Sequence, residues 1–196
     1  MPLSLRSRLA LFSVLALVMA ATRFNHFGSV PDASWAVFFI AGYQLRGSVR
    51  WAFPALMAIA VAVDYLVISA TGQNFWTHYC VSPGYWFLLP AHFSLWAGGS
   101  LLRRYAPEPT ANALALLVLA VVASVAACHL FAQGGFYWLS NSVADPTLAG
   151  WAKNYADWFL PYLRTTGMYV ALATVVHLAM LAVLRPGTSA ADRSVG

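Results

Sequence analysis

Charge is what this sequence has least of. Only 9% of its 196 residues are charged, with 11 lysines and arginines against 6 aspartates and glutamates. A soluble domain carries about 25%. Apolar residues reach 61%, about 120 positions, where soluble domains hold roughly 45–50%. Too few polar groups remain to cover such a core, which excludes a soluble globular protein, and a disordered chain holds far fewer apolar residues than this. Cysteine is scarce as well. Cys80 and Cys128 make no disulfide scaffold and no CxxC metal-finger pattern. They are free or pair with each other. The pairing is disfavoured because Cys128 lies about one turn inside an apolar run. The net charge is +5, but its cations are scattered at the ends of apolar runs rather than clustered in a patch, so a nucleic-acid partner is not expected.

What the sequence has is apolar runs. A membrane helix needs about 20 residues, so six spans would use about 120. The expected fold is an all-α membrane protein, a single transmembrane domain over 1–196. Spans are expected near 3–21, 35–45, 51–70, 85–102, 111–131 and 158–184. The first run also fits a signal peptide, with Arg6 and Arg8 before it and Ala20 and Ala21 at its end. It is read as a retained helix. Pro54 is tolerated in the first turn of the third span. Residues 132–157 form the longest expected connection, with Asp145 as an N-cap and Pro146 opening a short interfacial helix that ends near Tyr155.

Six spans sort the connections into two sets. One holds Arg6, Arg8, Arg46, Arg50, Arg103, Arg104, Arg185 and Arg193; the other holds only Arg23, Lys153 and Arg164. The positive-inside rule then puts both termini in the cytoplasm. The outer connections are long, aromatic and rich in neutral hydrogen-bonding groups, among them Asn25, His26, His78, Tyr79 and Cys80. Function is expected there, on a large and mostly uncharged ligand with apolar faces and amide edges. About half of these aromatics are assigned to an interfacial belt.

Individual residues carry candidate chemistry. Cys80 is a nucleophile and soft metal ligand in an outer loop. His26 and His78 are candidate ligand contacts. His92, His129 and His177 give no pair at matching depth for a haem, and each is read as a hydrogen-bonded helix residue. Asp64 and Arg164 sit near outer span ends, where a charge normally faces the bundle or a cavity. They pair with each other, or Asp64 accepts hydrogen bonds from ligand amides, or Arg164 snorkels and Asp64 faces a wet cavity. Ala16 and Ala20, four apart on the first helix, allow close approach of another helix.

The whole pattern resembles a family. Six spans with both termini inside, the Ala16/Ala20 pair, the string NHFGSVPDASWAVFFIAGYQLR and the loop WTHYCVSPGYW are similar to the BtuM family. These are cobalamin-specific, often solitary substrate-binding (S) components of energy-coupling factor (ECF) vitamin transporters. The resemblance covers essentially the whole chain, and its specific part is the Cys80 loop with Tyr85 following. It implies a bacterial cytoplasmic (inner) membrane protein that binds cobalamin, vitamin B12, on its outer face and mediates its uptake. It implies Cys80 as ligand to the cobalt. Thiolate coordination is in turn expected to labilise the cyanide of cyanocobalamin, an enzyme-like decyanation. Ala16 and Ala20 would be the docking face for an ECF coupling module of a membrane partner and ATPases, if one is used. The chain itself has no ATP-binding motif. The alternatives are a membrane-bound thiol or redox subunit, haem- or quinone-linked, and a structural subunit whose outer loops dock a partner.

Overall fold

The structure is a computed structural model that describes residues 4–24 and 30–184. Among these residues there are six α-helices, short 3₁₀ turns and no strand. The helices are α1 (Leu5–Phe24), α2 (Ser34–Gln44), α3 (Val49–Ala70), α4 (Leu88–Tyr105), α5 (Ala111–Leu139) and α6 (Leu148–Leu184). Successive helices run antiparallel, so the bundle has two ends. One gathers residues 24, 34, 70, 88, 139 and 148; the other gathers residues 44, 49, 105, 111 and 184.

Four helical stretches are long and apolar enough to cross a membrane: Leu5–Phe24, Arg46–Ala70, Ala111–Leu139 and Leu148–Val183. α2 is a different object. Its 11 residues rise only about 16 Å, half of a roughly 30 Å hydrocarbon core. None of its residues is exposed, and Ala36, Val37, Phe38, Phe39 and Ala41 are buried. A short apolar run of this length reads as a core helix, and α2 packs against α1, α3, α4 and α6. Its closest neighbour is α4. A Cβ on Gly42 would land on the Trp96 carbonyl, and one on Gly99 on the Phe39 carbonyl. Absent side chains let the two backbones touch, which is how helices associate where lipid removes the hydrophobic drive.

Four helices differ from the sequence expectation. α4 runs Leu88–Tyr105 where 85–102 was expected, because Pro83–Phe87 forms a 3₁₀ turn ahead of it. α1 continues through Thr22 and Arg23, which were expected in a loop. α5 runs eight residues past Phe131, through Gly134 and Gly135. α6 starts at Leu148 and continues unbroken to Leu184, so no separate interfacial helix forms. The cap of α6 is Thr147 rather than Asp145: its Oγ1 accepts the Gly150 N–H at 3.1 Å. Tyr137 on α5 seals this start, its hydroxyl bonded to both the Thr147 carbonyl and the Thr147 N–H at 3.2 Å. Gly134 and Gly135 lie inside α5, and Phe87 packs over Gly135. At 37 residues, α6 is about 55 Å long, so it extends well beyond a bilayer core.

Candidate functional site

The end of the bundle that gathers residues 24, 70 and 88 holds a polar network and a cavity beside it. The network centres on Arg23 in the last turn of α1. Its Nε and Nη2 donate to the two oxygens of Asp64 on α3, at 2.6 and 2.7 Å. Nη1 donates to Asp32 Oδ2 and to Ser34 Oγ, each at 3.1 Å. Asp32, two residues before Ser34, accepts the Ser34 N–H at 2.8 Å and the Ser34 hydroxyl at 2.6 Å. One guanidinium thus ties α1, α2 and α3 together. The fork geometry matches a carboxylate bidentately, which a lysine would not do. The Arg23 and Asp64 side chains are only 12% and 18% exposed, and a charge this deep persists only when paired.

The connection between α3 and α4 joins the network through Tyr85, whose hydroxyl donates to Asp64 Oδ2 at 2.6 Å. Two 3₁₀ turns, Phe75–Thr77 and Pro83–Phe87, shape this connection. Asn74 starts the first by accepting the Trp76 N–H. Ser82 starts the second by accepting the Gly84 N–H, with Pro83 pre-set for the turn. The second turn lies on α5, where Gly84 meets Gly135 with no side chain between them. Cys80 sits between the turns. Its N–H donates to His78 Nδ1 at 3.3 Å, so the His78 ring presents that nitrogen as an acceptor.

Beside the network lies a cavity of about 460 Å³. Arg23, Asp64 and Tyr85 supply its charged and hydroxylic part, Gln73 and Thr71 further polar groups, and Val67, Ile68, Leu88 and Phe136 its apolar wall. His78, Tyr79 and Cys80 line it as well. The Cys80 thiol is free and half-buried. Burial pushes its pKa up, Tyr79 pulls it back through a side-chain hydrogen bond, and the negative charge of Asp64 pushes it up again. The same hydrogen bond raises the Tyr79 phenol. At rest Cys80 is therefore a protonated thiol, and a metal that coordinates it must displace the proton.

Five sequence candidates, Asp64, His78, Tyr79, Cys80 and Tyr85, line this one cavity. Asn25 and His26 lie outside the described residues. Arg164 does not join: it is exposed on α6, and the partner of Asp64 is Arg23. Ala16 is buried in the bundle core, packed inward, and Ala20 is half-buried. Arg23 entered the sequence reading only as an orientation charge. The signal available for it was Asp64 itself, because a carboxylate inside a span requires a cation, and Arg23 and Arg164 were both on offer.

Two buried histidines each bond one backbone carbonyl, and among the described residues His92 Nε2 has no partner. His92 Nδ1 bonds the Leu88 carbonyl at 2.7 Å and His129 Nε2 the Tyr155 carbonyl at 3.1 Å. Among the described residues no three His, Cys, Asp or Glu side chains gather as a metal site. Comparison with protein-family models and with curated proteins finds no match to this chain.

Proposed function

We propose that this chain is a membrane uptake protein for cobalamin, of the S-component kind, set in a bacterial cytoplasmic membrane with the Cys80 end facing outward. The observation that carries the reading is the placement of Cys80. Its thiol lines a cavity that also offers a carboxylate, a guanidinium, a phenol and an apolar wall. That mixture suits a ligand with a metal, apolar faces and amide edges. The vitamin is larger than the cavity's roughly 460 Å³, so the corrin would cover the mouth and turn one axial position of cobalt toward Cys80. Asp64, Tyr85, Tyr79 and His78 would then meet the corrin amides, with Arg23 holding Asp64 in place.

With cyanocobalamin as substrate the chemistry is a ligand substitution. The Cys80 thiol loses its proton, its sulfur donates an electron pair to cobalt(III), and the cobalt–carbon bond to cyanide breaks with its pair on carbon. Cyanide takes up the released proton and leaves as hydrogen cyanide. Cobalt stays in the same oxidation state, so no reductant enters. Thiolate is a soft ligand suited to this exchange. Energy for uptake would come from a partner or from trapping of the altered vitamin, since the chain has no ATP-binding motif.

The test is an absorption spectrum of the detergent-purified protein after exposure to cyanocobalamin, beside Cys80→Ala. Retained corrin with shifted bands that are lost or reset in the variant supports the reading. A folded protein that retains no corrin overturns it and returns the thiol-enzyme and docking alternatives.

A further inference from the structure

A second cavity, of about 320 Å³, lies at the opposite end of the bundle, among the last turns of α2, α4 and α6 and the first turns of α5. Phe39, Ile40, Leu102, Leu117 and Val170 line it. On either side Leu114 of α5 and Leu178 of α6 also line it and are 59% and 42% exposed. Both helices are long and apolar enough to cross a membrane. The cleft therefore opens sideways, between two lipid-facing helices. Gln44, Thr174 and His177 line it too, but most of the lining is apolar, and left empty that part forfeits its dispersion contacts. The hydrocarbon chain of a lipid is the filler at hand.

The rim of the cleft selects the headgroup. Arg103, in the last turn of α4, has its Cζ over the Tyr43 ring, 5.1 Å from the centroid. Its Nη1 donates to the Tyr43 hydroxyl at 3.3 Å and to the Pro107 carbonyl at 3.4 Å. Tyr43 lines the cleft. Among the described residues Arg103 makes no ion pair. Arg104 stands beside it, exposed, in the same turn. A fixed, ion-unpaired guanidinium at the membrane–water level, over an apolar slot, is complementary to a phosphate that carries net negative charge. Glu108 stands on the same rim and opposes it, which makes it a second handle on the preference.

We propose that this cleft binds one anionic phospholipid, with an acyl chain between α5 and α6 and its phosphate on Arg103. The inference does not depend on the cobalamin reading. The experiment uses the full chain, purified in detergent and mixed with phosphatidylglycerol or phosphatidylcholine of the same acyl chains, with bound lipid counted by native mass spectrometry. One phosphatidylglycerol should be retained, with a preference of about fivefold or more over phosphatidylcholine. Arg103→Gln should remove the preference and Glu108→Gln should raise it. Leu117→Trp, which fills the slot, should release both lipids, and a melting curve on the same samples confirms that each variant is folded. Equal retention of the two lipids by the parent protein overturns the proposal. So does a preference that survives Arg103→Gln, or retention that survives Leu117→Trp. Retention of no lipid at all also overturns it.

Discussion

Tyr85 donates its hydroxyl to Oδ2 of Asp64 at 2.6 Å, and so ties the connection that carries Cys80 to the body of α3. The bond spans 21 residues of sequence and is charge-assisted, a class that contributes about 1.5–3 kcal/mol. Tyr85→Phe keeps the ring and removes only the bond. The variant is expected to lose about 1.5 kcal/mol, at the lower end because the carboxylate also lines the cavity. The loosened connection should make Cys80 react faster with a maleimide under native conditions. Parallel melting and labelling curves check both, and an unchanged labelling rate would show that Tyr85 does not hold the loop.

Arg23 and Arg164 should behave oppositely. Arg23→Gln strands Asp64 with its bidentate cation gone. Breaking a buried pair from one side costs about 3–5 kcal/mol, and about 3 is expected here given the residual exposure of Asp64. Arg164→Gln removes an exposed charge on α6 and should stay within about 0.5 kcal/mol. Unfolding of the two variants side by side tells them apart. If Arg164→Gln proves the more damaging, the assigned ion-pair partner is wrong.

The contrast between these arginines marks what a sequence can disclose. Composition alone pointed to a membrane helix bundle, because so few charges cannot cover so many apolar side chains in water, and four helices are long and apolar enough to cross a membrane. The third span reads at 51–70 and forms at Val49–Ala70, since a long apolar run leaves its backbone no partner but itself in lipid. The role of α2 was legible only by its length. The joining of α5 and α6 to their neighbours was not, because glycine disfavours a helix interior by propensity, yet Gly134 and Gly135 lie inside α5, with Phe87 packed over Gly135. The site divides in the same way. Cys80, Tyr85, His78 and Tyr79 share one short string and so had to be near each other. Arg23 reaches Asp64 across 41 residues, and a single sequence does not state such pairings. The inward turn of Ala16 is of this kind too: small residues fit a partner's helix and the chain's own bundle equally well.

Gly84 and Gly135 give a steric prediction. A Cβ at either position meets backbone or Phe87 atoms of the facing element. Overpacking a tight contact costs about 1–3 kcal/mol, so Gly135→Ala should destabilise by about 2 kcal/mol and lift the Pro83–Phe87 turn off α5. Gly47 faces open space at the other end. Gly47→Ala serves as the control and should be neutral or slightly stabilising, by up to about 1 kcal/mol, since it restricts the unfolded chain. Equal melting temperatures for the two variants would show that the turn is not clamped on α5.

Cys80 gives the prediction with a sign in pH. Burial and the charge of Asp64 both disfavour the thiolate, while the bond from Tyr79 favours it. Net, the thiol titrates above an ordinary cysteine, which lies near about 8.5. Its alkylation rate should therefore reach half of its high-pH plateau above that value. Tyr79→Phe deletes the hydrogen bond that stabilises the charged form. The midpoint should move further up, and the rate at pH 8, expressed as a fraction of each plateau, should fall. Division by the plateau matters because Tyr79 is itself 60% exposed over the cavity, and its loss also opens the thiol to reagent. Opening alone raises the whole curve without moving its midpoint. A midpoint that stays fixed, or moves down, would mean that the Tyr79 hydroxyl does not donate to the sulfur.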